Sequence, residues 1–463
     1  MIDPHWAWEP YRPSGQNPWD LRKAGHLYRR AAFGATWDEL QAAVADGPDA
    51  AVDKLLRGRE DAAFERNAKF MADSVKRVNN DNQLAAWWLY RLVMGSPHPL
   101  REKMTLFWHN HFATSNAKVR NAGYMLGMYD LMSRHALGNF RDLLQEMSKD
   151  PAMMVWLDTN QSKKGQPNEN YARELMELFS LGIGHYTEKD IREAARAFTG
   201  WEIRDGQAHF NSAQHDDGTK TVLGQAGGWK GEDVVRICLD QECCPYFICG
   251  KLYRFLVSDT APPTRELLAP LAEQFRSSGW DFGALVATVL RSNLFFAPES
   301  YRAKIKSPVE FAVGIVRGLE ARPHPVNALA ARLEGLGQHL FHPPSVKGWD
   351  GGPAWLNAQT LLFRQNLALA LTSTDDPVLR SHADPSELAR KHGRSDDAGI
   401  VDFFLDLFLQ ADVPAASKDR LTQYLADARR RRPPAYEPED AAAAHPVRAV
   451  CHLVLTLPEF QLS

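Results

Sequence analysis

Apolar residues recur at intervals of three and four along most of this chain, the spacing that lines one face of an α-helix. The pattern predicts helices over Trp37–Leu56, Asp81–Met94, Leu100–Phe112, Ala122–Met147, Glu169–Leu181, Lys189–Phe198 and Asp233–Leu239. It continues through Thr264–Ser277, Phe282–Arg291, Val309–Leu319, Ala328–Leu336, Leu356–Leu371 and Ile400–Gln410. Start signals support two of them. Ser307-Pro308-Val309-Glu310 joins a serine cap, a first-turn proline and a glutamate placed to close a capping box. Thr187-Glu188-Lys189-Asp190 is a weaker box of the same kind, and Gly200 is a plausible stop for the helix it opens. Strand character is confined to about Gln207–Leu223, with Asp217-Gly218 as the expected hairpin turn. The expected fold is therefore mainly α, a large multi-helix globular fold with a small β-hairpin excursion near 207–223. Polar residues and prolines interrupt the period at Thr372–Asp397. Residues 1–372 are expected to form the main helical domain, and 373–463 a C-terminal helical extension packed on it.

Composition narrows the class. With 463 residues, 44% of them hydrophobic and 24% charged, the chain has the make-up of a soluble globular protein with a large core. Fifty-four basic against 57 acidic residues give a net charge of -3, which offers no electrostatic case for nucleic acid or an anionic membrane. The basic run Arg429–Arg432 reads as a solvated helix end. The first residues show no basic stretch followed by an apolar one, and no apolar run is long enough to span a bilayer. A cytoplasmic protein without a membrane span is the expectation. Of five cysteines, Cys238, Cys243, Cys244 and Cys249 crowd together. They lack the CxxC knuckle of a zinc site, so packing as small apolar residues is the simpler reading.

Candidate chemistry concentrates in Asn168–Trp201. On a helical wheel Tyr171, Leu175, Leu178, Phe179 and Leu181 share an apolar arc, with Glu169, Arg173 and Ser180 opposite. Glu174 falls on the apolar side, flanked by Asn170 and Glu177. A buried ionised carboxylate costs several kcal/mol unless it is paired, hydrogen-bonded or metal-bound. In Arg101–Phe112, REKMTLFWHNHF, the helical period places His111 with Met104, Phe107 and Trp108, and turns His109 roughly 160° away. The pair therefore cannot chelate from one regular helix. His215-Asp216-Asp217-Gly218-Thr219-Lys220 sets imidazole and carboxylate within one turn, although such residues are also ordinary turn formers.

Together His111, Glu174 and His215 have the composition of a zinc, manganese or iron ligand set. Glu177 or Asp216 would then be the base that activates water, with Lys220 a further catalytic candidate. A structural network that pairs Glu174 with Arg173, Arg196 or Lys220 satisfies the same physics. In the proline- and glycine-rich stretch Gly337–Trp355, Trp349 and Trp355 could form a binding platform for a glycan or extended peptide, or could simply pin the loop. No phosphate-cradling glycine loop, GxSxG elbow or HExxH sequence is present.

Several long segments resemble the bacterial family known as domain of unknown function 1800. They are HLYRRAAFG (His26–Gly34), REKMTLFWHNHFATS (Arg101–Ser115), LGNFRDLLQEMSKDPAMMVWLD (Leu137–Asp158), and the NENYARELMELFSLGIGHYTEKDIREAARAFTGW stretch. HDDGTKTVLGQAGG, IKSPVEF, GQHLFHPPSVKGWDGGPAW and the ending LTLPEFQL follow in the same order, so the likeness runs from about residue 25 to 371 and again at the end. The resemblance implies a mainly helical fold and an association with a secreted alkaline-phosphatase-like partner protein. It carries no catalytic residues across. Two functions are therefore expected: a metal-assisted hydrolase built on the His/Glu/Asp set, or a non-catalytic accessory protein that binds through the tryptophan loop.

Overall fold

The long apolar periods resolve into shorter helices wherever glycine, proline or a capping side chain interrupts them. In the computed structural model, which describes residues 2–373, 376–410, 412–430 and 439–463, Trp37–Leu56 is two helices, Trp37–Asp46 and Pro48–Arg57. Gly47, at φ 82°, takes the left-handed conformation that ends the first, and Pro48 opens the second. Ala122–Met147 likewise divides into Ala122–Arg134 and Phe140–Met147, because the Asn139 side chain caps Arg141 N and Asp142 N and starts a new helix. The boxes at Ser307/Glu310 and Thr187/Asp190 both close reciprocally. Helices at Leu21–Ala31, Ala62–Val78 and Cys243–Leu256 add to those the apolar period predicts. The described residues hold 24 α-helices and only two small antiparallel sheets, so the fold is mainly α.

The β excursion is two hairpins. β1 (Trp201–Arg204) pairs with β2 (Gln207–Phe210), and β3 (Lys220–Val222) with β4 (Gln225–Gly227). Their turns are Asp205-Gly206 and Leu223-Gly224, each with two consecutive residues at positive φ, the backbone of a tight primed turn. Asp217-Gly218 is not a hairpin turn, contrary to expectation. It lies in the loop that feeds β3, where side chains rather than strand pairing hold it.

Aromatic packing around Trp108 organises the core. Its indole is fully buried, stacked on Phe140 at 5.5 Å and tilted against Phe282 at 4.5 Å. Burying a side chain of that size stabilises the fold by roughly 3 kcal/mol. The C-terminal helices lie on this body. Glu439–Thr456 packs along Ala358–Thr372, and Asp397–Leu409 reaches Leu21–Ala31. Phe408 meets Phe460 edge-on at 5.6 Å, and a Cβ at Gly318 would strike the Phe408 ring at 2.4 Å. Among the described residues no helix is long and apolar enough to cross a membrane.

Candidate functional site

The helix that begins at Asn170 does not stay α-helical. After Glu174 it widens into a π-helical stretch, Leu175–Ser180. Leu181 N donates to Met176 O at 3.0 Å, and the Ser180 hydroxyl takes Leu175 O. A π turn advances less per residue than an α turn, so the wheel drawn from sequence drifts beyond Glu174. Tyr171, Leu175, Met176 and Phe179 are buried, while Glu174 and Glu177 are half-buried.

On its inner side the helix ends against Pro99–His111 and Cys243–Leu256. Leu178 and Phe179 belong to the last turn, whose carbonyls have no acceptor role left within the helix. Lys251 Nζ donates to Leu178 O at 2.9 Å and to His111 Nδ1 at 3.1 Å, and His111 Nε2 meets Phe179 O at 3.2 Å. This network assigns the proton of a neutral imidazole to Nε2. Burial, with Lys251 beside it, holds the His111 pKa well below its ordinary value. Burial, reinforced by Arg254, pushes the Lys251 ammonium down to about 7. His111 is therefore a partner for helix carbonyls. Lys251 escaped the sequence reading, although it sits one turn beyond Ile248 and two beyond Cys244 on a buried stripe, which is the signal that would have found it.

Glu174 and Glu177 stand three residues apart, which on a helix makes them neighbours. Desolvation, with the charge of Glu177 second and Arg173 opposing, pushes the Glu174 carboxyl up to about 7. No hydrogen bond or ion pair among the described residues reaches the Glu174 carboxyl. Arg173 is engaged elsewhere, with Glu188 at 2.8 Å and Glu169 at 3.3 Å. Glu177 accepts from the Tyr186 hydroxyl at 2.6 Å, and burial together with that bond raises the Tyr186 pKa.

The His215–Lys220 loop is a clamp. His215 is 2% exposed and its Nδ1 lies 2.9 Å from Thr199 O. Asp216 takes two bonds from Arg196, at 2.8 and 3.1 Å, which hold its pKa at about 2. Lys220, fully buried, donates to Asp216 O and Gly218 O. Asp216 thus fixes the loop to the Glu188–Ala197 helix through Arg196, and the Lys220 ammonium closes the loop on itself. Among the described residues no group of three or more His, Cys, Asp and Glu is placed to hold a metal ion. His111, Glu174 and His215, expected as one ligand set, are not gathered. Cys238, Cys244 and Cys249 are buried and, with Cys243, free thiols, packed as small apolar residues.

The tryptophan loop is laced to the same helix. Asn110 Oδ1 accepts from Trp349 N at 2.7 Å and its Nδ2 donates to Trp349 O at 3.3 Å. His109 Nε2 accepts from Phe341 N at 3.1 Å, and its ring meets the Trp349 indole at 5.5 Å. Trp349 and Trp355 are each 8% exposed, so little of either indole reaches solvent. Trp108 thus anchors the aromatic core, His109 and Asn110 hold the tryptophan loop, and His111 holds the end of the π-helical turn.

These features define a mainly helical protein with a half-buried carboxylate pair, Glu174 and Glu177, where an α-helix passes into a π-helical turn. The chain belongs to the family described as protein of unknown function (DUF1800), whose sequence model matches residues 26–462, nearly its whole length. No curated protein and no solved structure matches it.

Proposed function

We propose that this protein is a hydrolase working by proton transfer at Glu174 and Glu177. The observation that carries the reading is Glu174 itself, a half-buried carboxyl with no hydrogen-bond donor, beside a second carboxylate and poised at about pH 7. A carboxyl with that pKa holds a proton for a leaving group and takes one back at neutral pH. Glu177, oriented by Tyr186, is the base toward water. Two carboxyls in unlike surroundings divide acid and base roles in this way, and π turns concentrate at functional sites.

Assay of the full chain against 4-nitrophenyl esters, phosphates and glycosides tests this, with and without added zinc, manganese or iron. Turnover of one class is expected, with a pH–rate limb near 7 and a loss of about 100-fold or more in Glu174→Gln. Equal rates in a folded Glu174→Gln variant dismiss the site.

One observation favours a second reading, an accessory protein that holds a partner such as the alkaline-phosphatase-like protein. The Ala358–Thr372 helix exposes Leu361, Leu362, Phe363 and Leu369 to between 38% and 55%, an unusual apolar face for a surface helix. Titration of the purified phosphatase-like protein into wild type and a Leu362→Glu variant decides it. Unchanged binding, or none to either, removes this face.

A further inference from the structure

Buried positive charge accumulates where the Leu21–Ala31 helix meets the start of Pro308–Gly318 and the end of the chain. Arg30, Lys103 and Arg364 are no more than 1% exposed, Lys306 5%, Lys304 7% and Arg29 9%. Backbone carbonyls absorb part of this charge. Arg30 donates to Leu256 O and Ser300 O, Arg364 to Lys306 O, and Lys304 to Arg254 O. The carboxylates that face the cluster are Glu310 and Asp259. Glu310 is already committed to Lys103 and to the Ser307 amide that it caps. Asp259 stands 3.9 Å from Lys304.

Two of the cations face a cavity of about 30 Å³ without full partners. Arg29 gives NH1 to the Gln410 side chain, but its NH2 is buried with no acceptor. Lys306 Nζ sits 3.5 Å above the centroid of the Phe460 ring and makes no hydrogen bond among the described residues. Gly25, Gly34 and Gly314 line the same space, together with Tyr28, Phe33, Leu40 and Leu407, and its one carboxylate is Glu310, whose charge Lys103 takes up. An unpartnered guanidinium nitrogen and a largely buried ammonium carry a desolvation cost that an anion between them would offset. The electrostatics agree. Lys306 is held well below its ordinary pKa by burial and then by Arg29, with Arg364 and Arg302 adding to it, and Glu310 as the opposing charge.

We propose that the cavity between Arg29, Lys306 and Gln410 is a binding site for a small oxyanion, of the size of inorganic phosphate or a short carboxylate. Arg29 supplies its free NH2 and Lys306 its Nζ, a planar fork and a point charge that suit oxygen anions. The Gln410 amide and the Phe460 ring come from the C-terminal part of the chain, so the anion joins that part to the N-terminal helix. The site is distinct from Glu174 and Glu177 and does not depend on their role.

The test uses the full chain, dialysed free of phosphate and carboxylate buffers, at constant ionic strength in chloride. Inorganic phosphate, and separately acetate, is titrated while the melting temperature is followed and heats are measured by calorimetry. A saturable rise with one of them is expected, and which one responds tells a phosphate site from a carboxylate site. Affinity should fall at least 30-fold in Lys306→Met and in Arg29→Met, with a smaller loss in Arg29→Lys. Without the anion, Lys306→Met should be at least as stable as the parent, because it removes a buried amine that no hydrogen-bond acceptor satisfies and keeps an apolar contact with Phe460. No saturable response to either anion in the wild-type chain overturns the proposal, whatever the variants do. A response that survives unchanged in folded Lys306→Met and Arg29→Met shows an adventitious ion only, and overturns it as well.

Discussion

His111 Nε2 lies 3.2 Å from the carbonyl oxygen of Phe179, so a histidine near the end of one helix closes the open end of another. The bond crosses the core, and Lys251 completes it by donating to both His111 Nδ1 and Leu178 O. Removing the imbalance of a helix end is a structural task, and it accounts for the inward imidazole without a metal ligand set.

Replacing His111 by alanine leaves Phe179 O and the Lys251 ammonium short of partners and opens a void beside Trp108 and Phe112. Stability should fall by about 2–4 kcal/mol, the sum expected for an orphaned buried polar group and a cavity. Urea denaturation measures it. A loss under about 0.5 kcal/mol, the size of a surface change, would mean that the Phe179 carbonyl finds another donor.

Lys251 predicts the direction of pH dependence in alkali. Its folded pKa, about 7, is below that of the unfolded chain, so the native state binds fewer protons between pH 7 and the usual lysine range. Stability therefore rises with pH across that window. Lys251→Met should flatten the slope between pH 7 and 10, as read from urea midpoints. An unchanged slope would show that the ammonium is not desolvated.

Glu174 has the opposite sign. Its folded pKa, about 7, is raised above the ordinary carboxylate range, so the native state holds an extra proton between about pH 4.5 and 7. The stability it contributes is present in acid and lost as pH rises through 7. Glu174→Gln should gain on the parent from pH 5 to pH 8, by no more than about 1 kcal/mol because solvent screens a half-exposed group. Parallel denaturation curves at the two pH values would leave the carboxyl with an ordinary pKa.

Much of this was readable in advance, and the rest was hidden for physical reasons. Helical spacing alone set His109 and His111 on opposite sides, and they do bond different segments, Phe341 and Phe179. It also singled out Glu174 as a carboxylate in the wrong place. The π turn was not visible, because Leu175–Ser180 has the apolar spacing of an ordinary helix and its extra residue is accommodated through Ser180 and Leu181. The His215–Lys220 loop has metal-site composition, yet Arg196, twenty residues upstream of Asp216, takes up its carboxylate. Composition cannot show which partner arrives first in space. Lys251 was missed although its stripe marks it as buried, and the partners that give it a role, His111 and Leu178 O, come from helices distant in sequence.

Asp216 offers a test that separates a clamp from a catalytic base. Held at about 2 by Arg196, its carboxylate stabilises the fold above the ordinary aspartate range, and that stability is lost as pH falls through 4 toward 2. Asp216→Asn should cost about 1 kcal/mol at neutral pH, a modest figure because the pair is partly solvated. It should also flatten the acid limb of the stability profile. Any hydrolysis the protein performs should keep its rate within about threefold in this variant, a change of less than 1 kcal/mol in the barrier. A fall of 100-fold or more in a variant that remains folded would return Asp216 to the reacting centre and remove the clamp as its sole role.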